Sequence, residues 1–188
     1  MNLDPLRKKR GFICDMDGVI YHGDQLLPGA QAFVEWLKKE NKKFLFLTNS
    51  SEKSPLELKE KLDRLGIQVD ATHFYTSALA TASFLASQCD NGSAYVIGEA
   101  GLINALYEAG FSMNEINPNY VVVGESRSYS YEKIERAVRL VRNGAKLIGA
   151  NPDLTDKLGQ DFAPATGALI APIELASDTK AYFVGKPN

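Results

Sequence analysis

Only two cysteines occur in the 188 residues, Cys14 within an apolar run and Cys89 after a helical one. That is too few for a disulfide framework, and their spacing is not that of metal ligands. Both read as reduced thiols of a cytoplasmic protein. An excess of charge of one sign is missing too, since 21 Lys and Arg are interspersed with 23 Asp and Glu for a net charge of −2. No broad basic field is left to attract a nucleic-acid polymer or an anionic membrane, which favours a small-molecule partner. There is no long hydrophobic run. The opening residues 1–10 are as basic as a signal n-region, but the apolar stretch behind them is broken at once by Asp15 and Asp17, so no export signal or membrane span is expected. His22 and His73 have no paired ligand or nucleophile in view, and no internal repeat or low-complexity tract appears. The length suits one good-sized domain or two modest ones.

Apolar runs of strand length alternate with amphipathic helical stretches, the pattern of an α/β protein with a largely parallel, doubly wound sheet. Strands are expected at 11–15, 43–48, 94–98, 120–124, 145–150, 167–171 and 182–185. Ala30, Phe33, Val34 and Leu37 follow the i, i+3, i+4, i+7 spacing of one helix face. Ser54, Pro55 and Glu57 form the start of the next helix, with Leu58, Leu62 and Leu65 inward and Gly66 as its stop. Further helices are expected at 102–109 and 131–143, each followed by glycine.

Three polar clusters fall at strand ends, where ligands bind in an open α/β sheet. The first is Asp15-Met16-Asp17-Gly18, two carboxylates one residue apart at a turn. One can attack a phosphorus while the other handles the proton, although solvated strand-end residues have the same look. The second, Thr48-Asn49-Ser50-Ser51, offers a hydroxyl and turn amides to an anion, or simply caps a turn. The third is Gly185-Lys186-Pro187-Asn188, whose lysine is a compact positive charge for phosphate oxygens.

In this order the clusters resemble the motifs of the haloacid dehalogenase superfamily of phosphatases: Asp15-Met16-Asp17-Gly18-Val19 as motif one, Thr48-Asn49 as motif two and Lys186 as motif three. More narrowly the chain is similar to the NagD-type branch, whose substrate-covering cap lies between motifs two and three. The likeness runs on through Tyr75-Thr76-Ser77-Ala78, Val96-Ile97-Gly98-Glu99, Val121-Val122-Val123-Gly124-Glu125 and Asn151-Pro152-Asp153. It implies a Rossmann-like core at 1–81, an α/β cap at 82–177 and a return to the core at 178–188. The implied activity is Mg²⁺-dependent hydrolysis of small phosphate monoesters, with nucleoside monophosphates favoured. Asp15 would form a phosphoaspartate and Asp17 would serve as general acid and base. Gly18, Thr48, Asn49 and Lys186 would hold phosphate. Mg²⁺ would sit on the Asp15 carboxylate and the Asp17 main-chain carbonyl.

Glu99, Glu125, Arg127, Asn151 and Asp153, at strand ends of the cap, are candidates for its specificity contacts, with turn-building as the plainer role. Tyr129 and Tyr131 either stack on a nucleobase or pack. The partner implied is a small phosphorylated metabolite, and homo-oligomers are compatible with the sequence. The family's fourth, acidic motif has no counterpart before Asn188, and the strand at 11–15, although apolar enough for burial on both sides, is expected at or near a sheet edge. A fragment is therefore expected, with the 188 residues alone a poor catalyst. Two other readings stand beside it: an impaired phosphate-binding protein, and a receiver-type phosphoacceptor domain, against which the Asp-x-Asp-Gly turn and the long insertion before Lys186 both argue.

Overall fold

The computed structural model describes residues 4–158 and 161–188. The chain divides into two compact units, Met1–Thr48 with Pro55–Tyr75, and Asn49–Ser54 with Thr76–Asn188.

The first unit runs through α1 (Asp4–Arg7), β1 (Gly11–Asp15), the short hairpin β2 (Tyr21–His22) and β3 (Gln25–Leu26), then α2 (Ala30–Lys39), β4 (Lys43–Thr48) and α3 (Pro55–Arg64). A 3₁₀ turn at Ala71–His73 leads into β5 (Phe74–Thr76). β1 and β4 are parallel, with Phe12 opposite Phe44, Cys14 opposite Phe46 and Asp15 opposite Leu47. The period of two puts these aromatic and thiol side chains on one face, where they meet Val34 of α2 and Leu58 and Leu62 of α3. The order β1-β4-β5 leaves β1 at an edge. That is the position expected for the strand at 11–15. Both α2 and α3 join the core on the Phe12–Cys14 face, and Ile13 on the other is 73% exposed.

The second unit contains α4 (Ser77–Gln88), β6 (Ser93–Ile97), α5 (Ala100–Glu108), β7 (Ser112–Met113), β8 (Tyr120–Val123), α6 (Tyr131–Arg142) and β9 (Lys146–Gly149). A hairpin of β10 (Thr155–Leu158) and β11 (Asp161–Pro164), then α7 (Thr166–Ser177) and β12 (Tyr182–Phe183), complete it. Its five-stranded sheet has the order β12-β9-β8-β6-β7, and every pairing in it is parallel. All four residues of β8 are buried because the sheet is wound on both faces. Val122 and Ile148 pack with Leu85 of α4 and Leu102 and Leu106 of α5. Val121, Val123 and Leu147 pack with Leu140 of α6 and Ile173 of α7. Such strands read as continuous apolar runs, which is why β6, β8 and β9 lie within a residue of their expected bounds.

The expected strand at 167–171 is instead the first half of α7. Its buried residues Thr166, Leu169, Ile170 and Ile173 have the i, i+3, i+4, i+7 spacing of a helix face. Residues 178–188 group with the second unit, and β12 extends its sheet beside β9. No helix among the described residues is long and apolar enough to cross a membrane.

Gly101 opens α5 against the segment that follows β4, donating its N–H to the Glu52 carbonyl at 3.0 Å. A Cβ at this position would lie 2.6 Å from that carbonyl oxygen and 2.8 Å from two backbone carbons. Alanine normally favours a helix over glycine by about 1 kcal/mol, but overlap with backbone that cannot rotate away costs roughly 1–3 kcal/mol. Gly101→Ala is therefore expected to lower stability in urea unfolding, and an increase would show that the 49–54 segment yields.

Candidate active site

Motif one sits where β1 ends. Cys14 and Met16 are buried, at 8% and 0% exposure, while Asp15 and Asp17 are exposed, so the two inward side chains anchor a turn that presents both carboxylates to solvent. The Met16 N–H donates to Asp15 Oδ1 at 2.8 Å, and the Met16 carbonyl accepts the N–H groups of Val19, Ile20 and Tyr21. Gly18 has φ +75°, a left-handed conformation that glycine adopts without strain, and its N–H closes the turn on the Tyr21 carbonyl at 2.8 Å. Thr48 ends the neighbouring parallel strand and is buried, one residue beyond the partner of Asp15. Burial pushes the Cys14 thiol up in pKa, which keeps it an inert neutral group beside Asp15.

Asn49, Asn151, Asp153 and Lys186 converge within the second unit. The side chain of Asn49 grips the Lys186 backbone at both ends: its Oδ1 accepts the Lys186 N–H at 2.8 Å and its Nδ2 donates to the Lys186 carbonyl at 3.1 Å. The same Nδ2 donates to Asp153 Oδ2 at 2.9 Å. Asn151, fully buried, donates through Nδ2 to the Asn49 carbonyl and to Glu125 Oε1, both at 2.8 Å, and its Oδ1 accepts the Asp153 N–H at 3.1 Å. Asn49 is thus a positioning group through its side chain, which leaves turn amides for any anion contact. The Lys186–Pro187 peptide bond is cis.

Arg127 stands apart from this cluster, 71% exposed and paired with Glu52 at 3.1 Å, while its N–H donates to Glu99. The Glu52 carboxylate holds the guanidinium pKa up. Tyr129 packs into the core of the second unit and donates its hydroxyl to the Leu169 carbonyl, so packing is its role. Tyr131 is exposed at the start of α6. His73 stacks on Phe44 with its Nδ1 at 2.9 Å from the Phe44 carbonyl, a structural place for a histidine.

Glu125, a candidate specificity contact of the cap by sequence with turn-building as the plainer role, is instead drawn into the network. Its Oε2 accepts the N–H of Ser51 at 2.7 Å and the Ser51 hydroxyl, while Oε1 accepts Asn151. Loss of hydration raises its pKa above the usual carboxylate value, and the donors from Ser51 and Asn151 oppose that shift. An acid placed directly behind an all-apolar strand and a glycine was the available signal.

A model of the haloacid dehalogenase-like hydrolases matches residues 12–112. The dihydroxyacetone phosphatase of Corynebacterium glutamicum is 42% identical over 94% of this chain and 64% of its own length. The chain is a haloacid dehalogenase-like hydrolase. Within these hydrolases it falls on the NagD-type branch: the ribonucleotide monophosphatase NagD of Escherichia coli is 41% identical over 95% of this chain and 70% of its own. The solved structure of NagD from the K-12 strain superposes with a TM-score of 0.88 at the same identity and coverage. This hydrolase chain therefore spans about two thirds of the length of the relatives it matches, 64% and 70%. Among its described residues no group of three or more His, Cys, Asp and Glu gathers as a metal cluster. What the motif-one turn offers a cation is the exposed Asp15 carboxylate beside main-chain carbonyls, which suits Mg²⁺, an ion that retains several waters and binds proteins through one or two carboxylates.

Proposed function

We propose that the whole protein is a Mg²⁺-dependent phosphatase of small phosphate monoesters, with nucleoside monophosphates among its substrates. The observation that carries this reading is the motif-one turn, where buried Met16 separates two exposed carboxylates at a strand end. In the first step an Asp15 oxygen bonds to phosphorus as the ester P–O bond breaks, and Asp17 delivers its proton to the departing oxygen. In the second step Asp17 takes a proton from water, whose oxygen attacks the phosphoaspartate and releases phosphate and the free Asp15 carboxylate. Lys186 and the turn amides at Gly18 and Asn49 stabilise charge on the transferring oxygens, the largest contribution such a site makes. Mg²⁺ on the Asp15 carboxylate and the Asp17 main-chain carbonyl would offset the repulsion between nucleophile and anionic substrate.

We assign the first unit to the catalytic core and the α/β body of the second to the inserted cap, with substrate choice in the cap. The relatives named for dihydroxyacetone phosphate and for ribonucleotides support a small monoester and span two chemistries. The test is phosphate release from 4-nitrophenyl phosphate, nucleoside monophosphates and sugar phosphates, with Mg²⁺ and after chelation. Release from the nucleotides that stops on chelation is expected. Preference for the sugar phosphates would remove the nucleotide assignment, and no release from any ester would remove the phosphatase itself.

A further inference from the structure

We infer that Glu125 is a positioning residue, the anchor of a relay through Ser51, Asn151 and Asn49 that fixes the backbone of Lys186. The relay rests on the phosphatase reading only where it assigns Lys186 to the phosphate. Its geometry is independent of that reading and lies wholly within the second unit.

Three polar hydrogens converge on one carboxylate: the N–H and hydroxyl of Ser51 on Oε2, and an amide hydrogen of Asn151 on Oε1. The return contact is also made, since the Ser51 hydroxyl oxygen accepts the Glu125 N–H at 3.0 Å. Ser51 and Asn151 are both 0% exposed, so water is not at hand to replace Glu125 as acceptor. An ionised carboxylate is the one side chain that accepts on both oxygens, and such charge-assisted bonds are about twice as strong as neutral ones. The second amide hydrogen of Asn151 goes to the Asn49 carbonyl, which also accepts the Ser77 hydroxyl at 2.5 Å. The loop after β4 is thereby pinned at Asn49 and at Ser51, and Asn49 passes the constraint to both polar groups of the Lys186 backbone.

Two glycines show how tightly the strand ends close on this loop. A Cβ on Gly124 would lie 2.4 Å from Ser51 Oγ, and one on Gly185 would lie 2.8 Å from Asn49 Oδ1 and 2.6 Å from the Ala150 carbonyl. Lysine carries its charge on a flexible four-carbon stem. Fixing the root of that stem narrows where the ammonium can reach, and positional error at a phosphoryl-transfer site is expensive in rate.

Glutamine in place of Glu125 accepts on one atom only and turns an NH₂ toward either Ser51 or Asn151, leaving a buried donor unpaired. The test is amide hydrogen exchange in the full chain and in the variants Glu125→Gln and Ser51→Ala, alongside binding of inorganic phosphate in the presence of Mg²⁺. Exchange at Ser51 and Lys186 is expected to accelerate by about tenfold or more in Glu125→Gln, the scale of a lost bond to a charged group, with a smaller rise at Lys186 in Ser51→Ala. Val122, in the middle of the sheet, serves as the global reference and should not change. Phosphate affinity should fall in step with the Lys186 exchange.

A rise shared equally by Val122 would mean that Glu125 merely stabilises the fold, and unchanged Lys186 exchange would break the relay; either overturns the inference. Selective exchange with unaltered phosphate affinity would overturn it as well, because the fixed backbone would then have no bearing on the anion. If the unsubstituted whole protein neither binds phosphate nor turns over any monoester, the phosphatase reading fails, and the exchange pattern alone upholds or overturns the relay. Should Glu125→Gln not fold, Ser51→Ala decides by the same exchange criterion.

Discussion

Asp15→Asn in the whole protein is expected to lower phosphate release by on the order of 10⁴-fold or more, the scale on which an enzyme loses its nucleophile, while leaving the fold in place. The two side chains have the same shape, and the amide oxygen of asparagine can accept the Met16 N–H as Asp15 Oδ1 does at 2.8 Å. Asp15 is exposed at the end of an edge strand. Changes at such surface positions are usually within about 0.5 kcal/mol. The chemistry has no such tolerance, because a neutral amide oxygen is a poor nucleophile toward an anionic phosphorus and forms no phosphoaspartate. Thermal unfolding and steady-state release from an activated aryl phosphate, on the same preparation, separate the two effects. Retention of more than about a tenth of the rate would sink the nucleophile assignment, since general-base help alone is worth about 10²–10⁴-fold. Asp15→Glu should also lose most of the activity, as the added methylene misplaces the attacking oxygen on a scale that costs about 10²-fold.

The parts of this molecule legible in sequence are those whose signal is local. β1 and β4 end where their apolar runs meet Asp15 and Thr48, and the expected bounds are the observed ones. The run at 167–171 misled because a short apolar stretch between a glycine and Pro172 fits a strand by length; its helical period becomes visible only when Thr166 and Ile173 are included. The edge position of β1 was legible as well, since the order of motifs along the chain places no strand on its far side, and Ile13, on the face opposite Phe12 and Cys14, is exposed. The Lys186 clamp was out of reach altogether. Asn49 and Lys186 are 137 positions apart, and Ser51 and Glu125 are 74 apart. Each residue alone has an ordinary explanation as a turn or surface group, and a side chain used for positioning leaves no periodic trace. The chemistry of the strand-end motifs was readable, whereas the scaffold holding one of them is visible only once the chain is folded.

Asp17→Asn separates proton transfer from nucleophilic attack. Asp17 shares the motif-one turn with Asp15 and is exposed beyond buried Met16, so its replacement leaves the anchor and the nucleophile intact. What is removed is the proton carried to the leaving oxygen and later taken from water. A 4-nitrophenolate departs without protonation, whereas the alkoxide of a nucleoside or sugar does not, so the first step should suffer far more for an alkyl phosphate. General acid catalysis contributes about 10²–10⁴-fold, and a loss of that size is expected for alkyl esters. For the aryl ester the first step should be nearly spared and the second, hydrolysis of the phosphoaspartate, should become limiting. That predicts a burst of 4-nitrophenolate equal to the enzyme concentration, followed by slow turnover, and trapping of phosphate on Asp15. Measuring the burst and the leaving-group dependence of the first step together checks both halves of the role. Equal slowing of the first step for aryl and alkyl esters, with no burst, would mean that Asp17 holds the turn or the cation and moves no proton.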